Sequence, residues 1–403
     1  MAHGSESSQS QYLTDLLQVA WPSVSETNGA GSSERLLELV ALPNRTNPRL
    51  VVPRQPVRVA ATAMLNFKAS AIGLERLKTM AMAGAVRCGA LYLARNIVTV
   101  RRSEFTIDTH LSDILEEQVH VALYVGPQRA VQKPIFQVID HRGHTVAFAK
   151  LGTRELTKRL IRHEVESLET LRRLPLSTIA TPRVLAHTTW HDAELIVQSA
   201  VLPGRRSGDH QQTLTDATNE LASCIGACQT NWDTSAYRSR LWTRILSTPR
   251  EGLTAALRSA MMLLDAALGS QPVDMGAWHG DWAPWNMTSQ HGKIIAWDWE
   301  HFEVGVPKGL DAVHYDIATL LVDDGVTPVQ AFHEAADERH EGLLSTVTKP
   351  SSRAVLIMQY AIEIATRYMH DGEDLVGGTR LSRLETWLPQ VLSEFSARIS
   401  HVE

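Results

Sequence analysis

The 403-residue chain is 44% hydrophobic and 21% charged, a composition that supports a substantial folded core and excludes collagen, coiled coil and wholesale disorder. Its 39 Lys+Arg against 44 Asp+Glu give a formal net charge of −5, so no global basic field draws it to nucleic acid. Three cysteines, Cys88, Cys224 and Cys228, exclude a disulfide framework and a cysteine-rich zinc module, and a cytoplasmic protein is expected. Cys224 and Cys228, four residues apart in an Ala-rich segment, are expected on one helix as small buried thiols. No membrane span is expected. The most apolar stretch, Thr79 to Ala94, is interrupted by Arg87 and stopped by Arg95, well short of the roughly 20 apolar residues a spanning helix needs.

Residues 1–34 are rich in Ser, Gly, Gln and Thr and are expected to form a flexible tail, with one short helix over Leu13–Trp21. Short strands follow at Glu38–Leu42 and Arg49–Val52, then helices at Val57–Phe67 and Leu74–Arg95. The Ala, Gly and Met content of the second helix is read as core packing in preference to a membrane-surface role. From there to about Glu117 the sequence carries no recognisable chemistry. Val119–Val125, Pro134–Ile139 and Thr145–Lys150 are β-like, and a helix is expected over Glu155–Leu174, closed by Pro175. Two more strands, Thr181–His187 and Glu194–Ser199, end at the turn Leu202-Pro-Gly204. Beyond it the chain reads as mainly helical except near residues 292–299. Strands with one helix followed by a larger helical half suggest a two-lobed α+β enzyme. Residues 201–403 carry 16 Lys+Arg and 26 Asp+Glu, a balance that fits metal ions and a cationic acceptor.

No G-x-x-x-x-G-K-[ST] loop, G-x-G-x-x-G fingerprint or G-x-S-x-G elbow occurs, and no His-Glu pair extends to H-E-x-x-H. What remains is Trp278-His-Gly-Asp-Trp-Ala-Pro-Trp-Asn286, followed by Lys293-Ile-Ile-Ala-Trp-Asp-Trp-Glu300. His279-Gly-Asp281 places a carboxylate in a tight turn, Asn286 offers an amide oxygen, and the apolar run Ile294–Trp297 delivers Asp298 at its end. Two carboxylates and an amide on neighbouring loop and strand ends form a hard-oxygen set suited to Mg2+. Five of the ten tryptophans lie between 278 and 299, so a rigid, partly dry wall is expected behind them. Lys150, one of only eight lysines, ends an alternating strand. Glu164 lies within the apolar stripe of Leu160, Leu168 and Leu171 on the next helix, where a buried carboxylate needs a cation. Lys150 is that candidate.

The order H-G-D-x-x-x-x-N, apolar strand, D-W-E, with V-A-F-A-K and a downstream helix Glu, resembles the signature of aminoglycoside phosphotransferases and choline kinases. These are the small-molecule branch of the protein-kinase-like fold, and the resemblance covers roughly residues 113–400. It implies an α+β, two-lobed architecture: an antiparallel-sheet N-lobe over 113–200 and a mainly helical C-lobe with the acceptor site over 201–403. An accessory α/β region of unknown role over 35–112 and the tail precede them. It also implies that Asp281 orients the acceptor hydroxyl and takes its proton, and that Asn286 and Asp298 hold Mg2+. Lys150, braced by Glu164, would contact the α/β-phosphates. His279 is read as loop support rather than a base. The implied activity is transfer of the γ-phosphoryl of ATP, or alternatively GTP, to a hydroxyl of a sugar, aminosugar, aminoglycoside-like or amino-alcohol acceptor. Glu363 and the cluster Asp371-Gly-Glu-Asp374 are read as helix-surface charge, or else as receivers of acceptor amines. The rival reading is a pseudokinase or scaffold whose N-terminal region recruits a partner. Two departures stand out. No glycine-rich phosphate loop is evident, only Gly126-Pro127 before Gln128–Lys133. Asp311 and Asp316 compete for one family aspartate.

Overall fold

The computed structural model describes residues 3–22, 35–67, 73–103, 105–126, 129–201, 210–248 and 250–400. The chain divides into two compact units, one of residues 1–128, 132–165 and 182–203, the other of 129–131, 166–181 and 204–403. In chain order the first half runs α1 (His3–Ala20), β1 (Arg35–Leu42), β2 (Leu50–Pro53), α2 (Val57–Phe67), α3 (Gly73–Arg87), β3 (Ile97–Arg102), α4 (Ile107–Leu115), β4 (Val119–Tyr124), β5 (Ile135–Asp140), β6 (Thr145–Gly152), α5 (Glu155–Arg172), β7 (Ile179–Ala180), β8 (Val184–Trp190) and β9 (Ala193–Ser199). All these strands but β7 form one eight-stranded antiparallel sheet in the order β3-β1-β2-β4-β5-β6-β9-β8. Strands β1–β3 of the accessory segment thus share one sheet with the strands expected for the N-lobe.

Both faces of this sheet are covered, and the strand period of two sorts the side chains between them. Leu39 and Ala41, Val121 and Leu123, and Ala147, Ala149 and Leu151 pack with α1 and α4 residues. Val40, Val52 and Ala122 pack on the other face with Val59, Ala60 and Ala63 of α2 and Ala83 and Val86 of α3. The expected flexible tail is partly corrected. Over its described part it is the 18-residue helix α1, and Leu13, Leu16, Leu17 and Ala20, at helical spacing, are buried together with Trp21. Trp21 donates its indole N–H to Asp108 (3.1 Å), and Trp190 donates to the Val19 carbonyl (2.8 Å). The remainder of the tail and the turn at 202–204 lie outside the described residues. The expected helix Leu74–Arg95 ends early, because Gly89 takes φ +94°, a conformation that only glycine adopts at no cost. The alternating Ile97–Val100 beyond it becomes β3.

The second half runs α6 (His210–Ser223), β10 (Cys228–Asn231), α7 (Ala236–Leu246), α8 (Glu251–Leu268), β11 (Pro272–Trp278), β12 (Met287–Gln290), β13 (Lys293–Ala296), β14 (Glu303–Pro307), α9 (Leu310–Thr319), α10 (Pro328–Ala336), α11 (Leu343–Val347), α12 (Pro350–Asp371), α13 (Glu373–Val376) and α14 (Leu388–Ser400). It is mainly helical, with two small sheets, β10-β11-β14 and β12-β13-β7. A sheet-built first unit and a helical second one make the α+β architecture that the resemblance implies. Cys224 and Cys228 do not share a helix. α6 stops at Ser223, Gly226 turns the chain at φ +65°, and Cys228 opens β10 exposed to solvent. Burial pushes the half-buried Cys224 thiol up to about 11. Among the described residues no helix is long and apolar enough to cross a membrane.

Trp21→Ala should lower the unfolding free energy by about 3–5 kcal/mol, the range for deleting a buried aromatic. Urea denaturation measures it, and an unchanged midpoint would mean that α1 is not docked in solution.

Candidate active site

β11 emerges from its sheet at Trp278 and hands the chain to His279-Gly280-Asp281. Gly280 sits at φ +83°, and a Cβ there would lie 2.7 Å from the Cβ and carbonyl oxygen of His301. The turn therefore requires glycine on both conformational and steric grounds. Its shape is set from outside by Asp311, in the first turn of α9, whose carboxylate accepts the backbone N–H groups of His279 (2.7 Å) and Gly280 (3.1 Å). Burial raises the Asp311 carboxyl to about 7 against the opposing pull of those two donors. Asp316 works elsewhere, accepting the N–H groups of Leu343 (2.7 Å) and Leu344 (2.9 Å) at the start of α11. Of the two competing aspartates, only Asp311 holds the 279–281 loop.

His279 is wholly buried and both ring nitrogens are occupied. Nδ1 lies 3.1 Å from the Asp281 N–H and so accepts from it, which leaves Nε2 to donate to the Trp297 carbonyl at 3.0 Å. Burial lowers its pKa to about 4, so near neutral pH it is an uncharged bracket between the two halves of the motif. Trp282 and Trp299 pack against its ring, with centroids at 5.6 and 4.4 Å. With Trp278 they supply three fully buried tryptophans of the expected wall, while Trp285 is exposed.

Both oxygens of Asp281 are engaged. Oδ1 is 3.0 Å from Nε2 of His314, and Oδ2 accepts from the Asn286 amide at 2.8 Å. The Asn286 amide also donates to the Asp281 carbonyl (3.0 Å), so its nitrogen is committed and its oxygen is the atom left to face a cation. Burial would raise the Asp281 carboxyl. The hydrogen bond from His314 and the positive charge of Arg367 more than offset this and hold it well below the usual carboxylate range. Behind His314, the Tyr360 hydroxyl lies 2.9 Å from Nδ1. Burial drives the pKa of that phenol well above its ordinary value, so it keeps its proton and can donate it. Arg367 on α12 closes the back of the loop, donating to the Gly280 carbonyl (2.7 Å) with its guanidinium 5.6 Å from the Trp278 ring centroid.

Asp298 reaches the same neighbourhood through the β12–β13 hairpin, where Met287 pairs with Ala296 and the Trp297 N–H donates to the Asn286 carbonyl (3.0 Å). Asp298 follows at φ +65°, a left-handed conformation that aspartate tolerates better than most residues. Its side chain does not cap the turn that it opens. Residues 281 and 286 are thus in direct contact, and Asp298 directly follows the residue whose N–H meets the Asn286 carbonyl. Among the described residues no cluster of three or more His, Cys, Asp or Glu could hold a metal by itself. One carboxylate and one amide oxygen fit a hard cation that draws its other ligands from water and phosphate, as Mg2+ does.

In the first unit, Ala147, Ala149 and Leu151 of β6 face one core, so alternation turns Lys150 to the opposite face of the sheet. There its ammonium meets Glu164 of α5 at 2.6 Å, the two side chains 5% and 0% exposed. Gln198 of β9 also donates to Glu164, at 2.9 Å. Pro127 and Gln128 of the expected phosphate loop lie outside the described residues. The acidic groups read as helix-surface charge or amine receivers are largely spoken for. Glu363 and Asp374 are buried against Arg244 (2.5 Å) and Arg250 (2.6 Å). Glu373 accepts from Arg129 (3.2 Å) and the Val131 N–H (2.9 Å).

His314, Tyr360, Arg367 and Gln198 had no part in the sequence-level site, and Asp311 entered it only as one of two competing aspartates. The available signal was their setting. All of α9 from Leu310 to Ala318 is buried except Tyr315, and two aspartates and a histidine inside so apolar a helix must each have a partner.

No protein-family model matches the chain, and no curated protein matches it in sequence. Among solved structures it is similar to a thermostable mutant of the aminoglycoside phosphotransferase APH(4)-Ia in ternary complex with ADP and hygromycin B. The identity is 10%, the alignment covers 72% of this chain and 98% of that one, and the TM-score is 0.49. It is also similar to an amicoumacin kinase in complex with AMP-PNP and Ca2+ (14% identity, 70% and 88% covered, TM-score 0.41). A third, APH(2")-IIa in ternary complex with streptomycin and ATP, has 10% identity, 71% and 93% covered, and TM-score 0.40.

Lys150→Met should cost about 3–5 kcal/mol of stability by removing the ammonium from the buried Glu164, and adding Glu164→Gln should restore most of it. A double variant no more stable than Lys150→Met in urea would contradict the pairing. Asp311→Asn replaces one accepting oxygen with a donor aimed at a backbone N–H, and should cost about 1–3 kcal/mol. It should also change the pH response. A raised carboxyl loses its stabilising contribution as pH climbs from about 4 to 7, whereas the lowered His279 loses its own as pH falls from about 6.5 to 4. The two offset in the parent protein. In Asp311→Asn, stability should therefore rise with pH between about 4.5 and 6.5 more steeply than in the parent, by about 1 kcal/mol per pH unit. Parallel melting profiles would refute the assignment.

Proposed function

We propose that the chain is a phosphotransferase that moves the γ-phosphoryl group of a nucleoside triphosphate, ATP by preference, to a hydroxyl of a small molecule. The observation that carries this reading is the Asp281 carboxylate. It is ionised, gripped at one oxygen by His314 and at the other by Asn286, in a loop whose backbone is fixed by Asp311 and Arg367. A carboxylate so held is suited to aligning an alcohol and receiving its proton as the new P–O bond forms. Burial has removed His279 from that role.

The remaining residues do little covalent work, which is what phosphoryl transfer asks of them. Asn286, through its amide oxygen, and Asp298 would hold Mg2+, which when bound would neutralise charge on the phosphate oxygens. Lys150, fixed by Glu164, would bind the α/β-phosphates, and Glu164 in turn is steadied by Gln198. His314, backed by Tyr360, orients Asp281 and holds it ionised. The three buried tryptophans keep water from the inner side of the loop, strengthening the polar contacts there. A sugar, aminosugar, aminoglycoside-like or amino-alcohol acceptor fits this chemistry best. Because Glu363, Glu373 and Asp374 already face arginines, acceptor amines would be met by other groups.

The test is an ADP-release screen over sugars, aminosugars, aminoglycosides and amino alcohols, with Mg2+ and ATP. One acceptor class should give turnover. Asp281→Asn should reduce it by about 10²–10⁴-fold, and His314→Ala should lower kcat more than it raises KM, with His314→Gln intermediate. Turnover that survives unchanged in Asp281→Asn would remove that residue from its role. Failure of every acceptor, together with no ATP- and Mg2+-dependent rise in Tm, would remove the activity itself.

A further inference from the structure

The net charge of −5 conceals a strong local imbalance. Residues 35–102 contain 12 Lys+Arg and only Glu38 and Glu75 as acids, a balance of +10, so the rest of the chain stands at −15. This basic stretch is also where large apolar side chains are most exposed. Leu77, Met80 and Met82 on α3, and Tyr92 and Leu93 just after it, all face solvent, Leu93 at 86% and Leu77 at 63%.

The exposed apolar groups are arranged. Thr79, Ala83 and Val86 form the narrow buried stripe of α3. At 100° per residue, the side directly opposite carries Leu77, Ala81, Gly84 and Cys88, all exposed. A Cβ at Gly84 would meet nothing within 4 Å, so this outer side is open. Lys78 and Arg87, both exposed, lie on its two flanks, and Arg95 follows Leu93. The helix therefore presents an uncharged ridge between two basic margins, and its other side packs on α2. That is the layout of a helix that rests on a bilayer, with apolar side chains among the acyl chains and cations at the headgroups.

We infer that the α3 face, continued through Leu93, docks the protein on an anionic lipid surface. The charge selects the partner. In a second copy Lys78, Arg87 and Arg95 would meet the same cations, whereas acidic headgroups complement them. The apolar groups separate lipid from nucleic acid. Single-stranded bases stack on flat aromatic surfaces, but the ridge offers Leu77 and small side chains, with Met80 and Met82 at its flanks, and the ring of Tyr92, the one aromatic residue here, already lies under the Arg54 guanidinium at 5.5 Å. Leucine and methionine instead suit acyl chains.

The test is flotation of the full-length protein with phosphatidylcholine vesicles, with and without phosphatidylserine, at low and high salt. Binding is expected only to the anionic vesicles and should weaken with salt. Each basic residue near such a surface is worth about fivefold in affinity, so Lys78→Glu/Arg87→Glu should weaken binding by about tenfold or more. Leu77→Glu/Leu93→Glu should do the same from the apolar side. All four side chains are exposed and none belongs to the candidate active site, and a melting curve for each variant checks that the fold is kept. Absence of binding to anionic vesicles would overturn the inference, as would binding that both variants leave unchanged. A dimer lost in Leu77→Glu/Leu93→Glu without lipid binding would identify a second copy as the occupant. A duplex-RNA shift lost in Lys78→Glu/Arg87→Glu without lipid binding would identify nucleic acid. Either result overturns the lipid assignment, and none of these readouts depends on phosphotransfer.

Discussion

The two oxygens of Asp311 each receive a backbone N–H, one from His279 and one from Gly280. Such a hydrogen bond contributes about 1 kcal/mol, and more as the acceptor ionises, and two of them from consecutive residues fix a turn as well as stabilise it. That turn decides where everything else in the second unit can go. With the 279–280 backbone set, the His279 ring is aimed at the Trp297 carbonyl, which ties the end of β11 to the end of β13. The Asp281 side chain is left between His314 and Asn286. Arg367 then secures the Gly280 carbonyl from behind. The one helix α9 contributes both Asp311 and His314, three residues apart and so on one face. A single rigid element thus holds the loop and its carboxylate together.

A second theme is that the helical unit buries ionic groups only with company. α12 is largely buried, yet it contains Arg353, Glu363 and Arg367. Arg367 meets the Gly280 carbonyl, Arg353 the Asp337 carbonyl at 2.6 Å, and Glu363 the Arg244 guanidinium. An unmatched charge there would cost several kcal/mol. The same logic governs Glu220, whose carboxylate gathers the N–H and hydroxyl groups of Ser177 and Thr178 and the N–H of Ile179. Those donors pull its pKa down to about 2 although partial burial works the other way. The strand Ile179–Ala180 is thereby seated beside β13.

Much of this was legible in the sequence where the partners are close neighbours along the chain. Asp281, Asn286 and Asp298 span only 18 positions, and a loop followed by a hairpin is enough to gather them. Lys150 and Glu164 sit on adjacent elements, so strand alternation and helix periodicity predicted their meeting. His314, Tyr360 and Arg367 were missed, and the choice between Asp311 and Asp316 stayed open, because the partners lie between 31 and 87 residues away, where no local period points. The tail was underestimated for a similar reason. Its composition is polar, but Leu13, Leu16, Leu17 and Ala20 find a core built by strands that follow much later. The Cys224–Cys228 spacing misled because one glycine between them ends the helix.

The order of the large sheet has a practical consequence. β4, with Val119, Val121, Ala122 and Leu123 all buried, is an interior strand only because β2 pairs beside it and β1 and β3 continue outward. Trimming the chain to the portion that resembles a minimal kinase would strip those three neighbours away. A bare, greasy border would then be open to stitching by other copies, and inclusion bodies would be the natural product of such a shortened gene. With those neighbours present, the border on that side of the sheet is β3, six residues long and bearing the exposed Arg101, which is far less inviting to another strand.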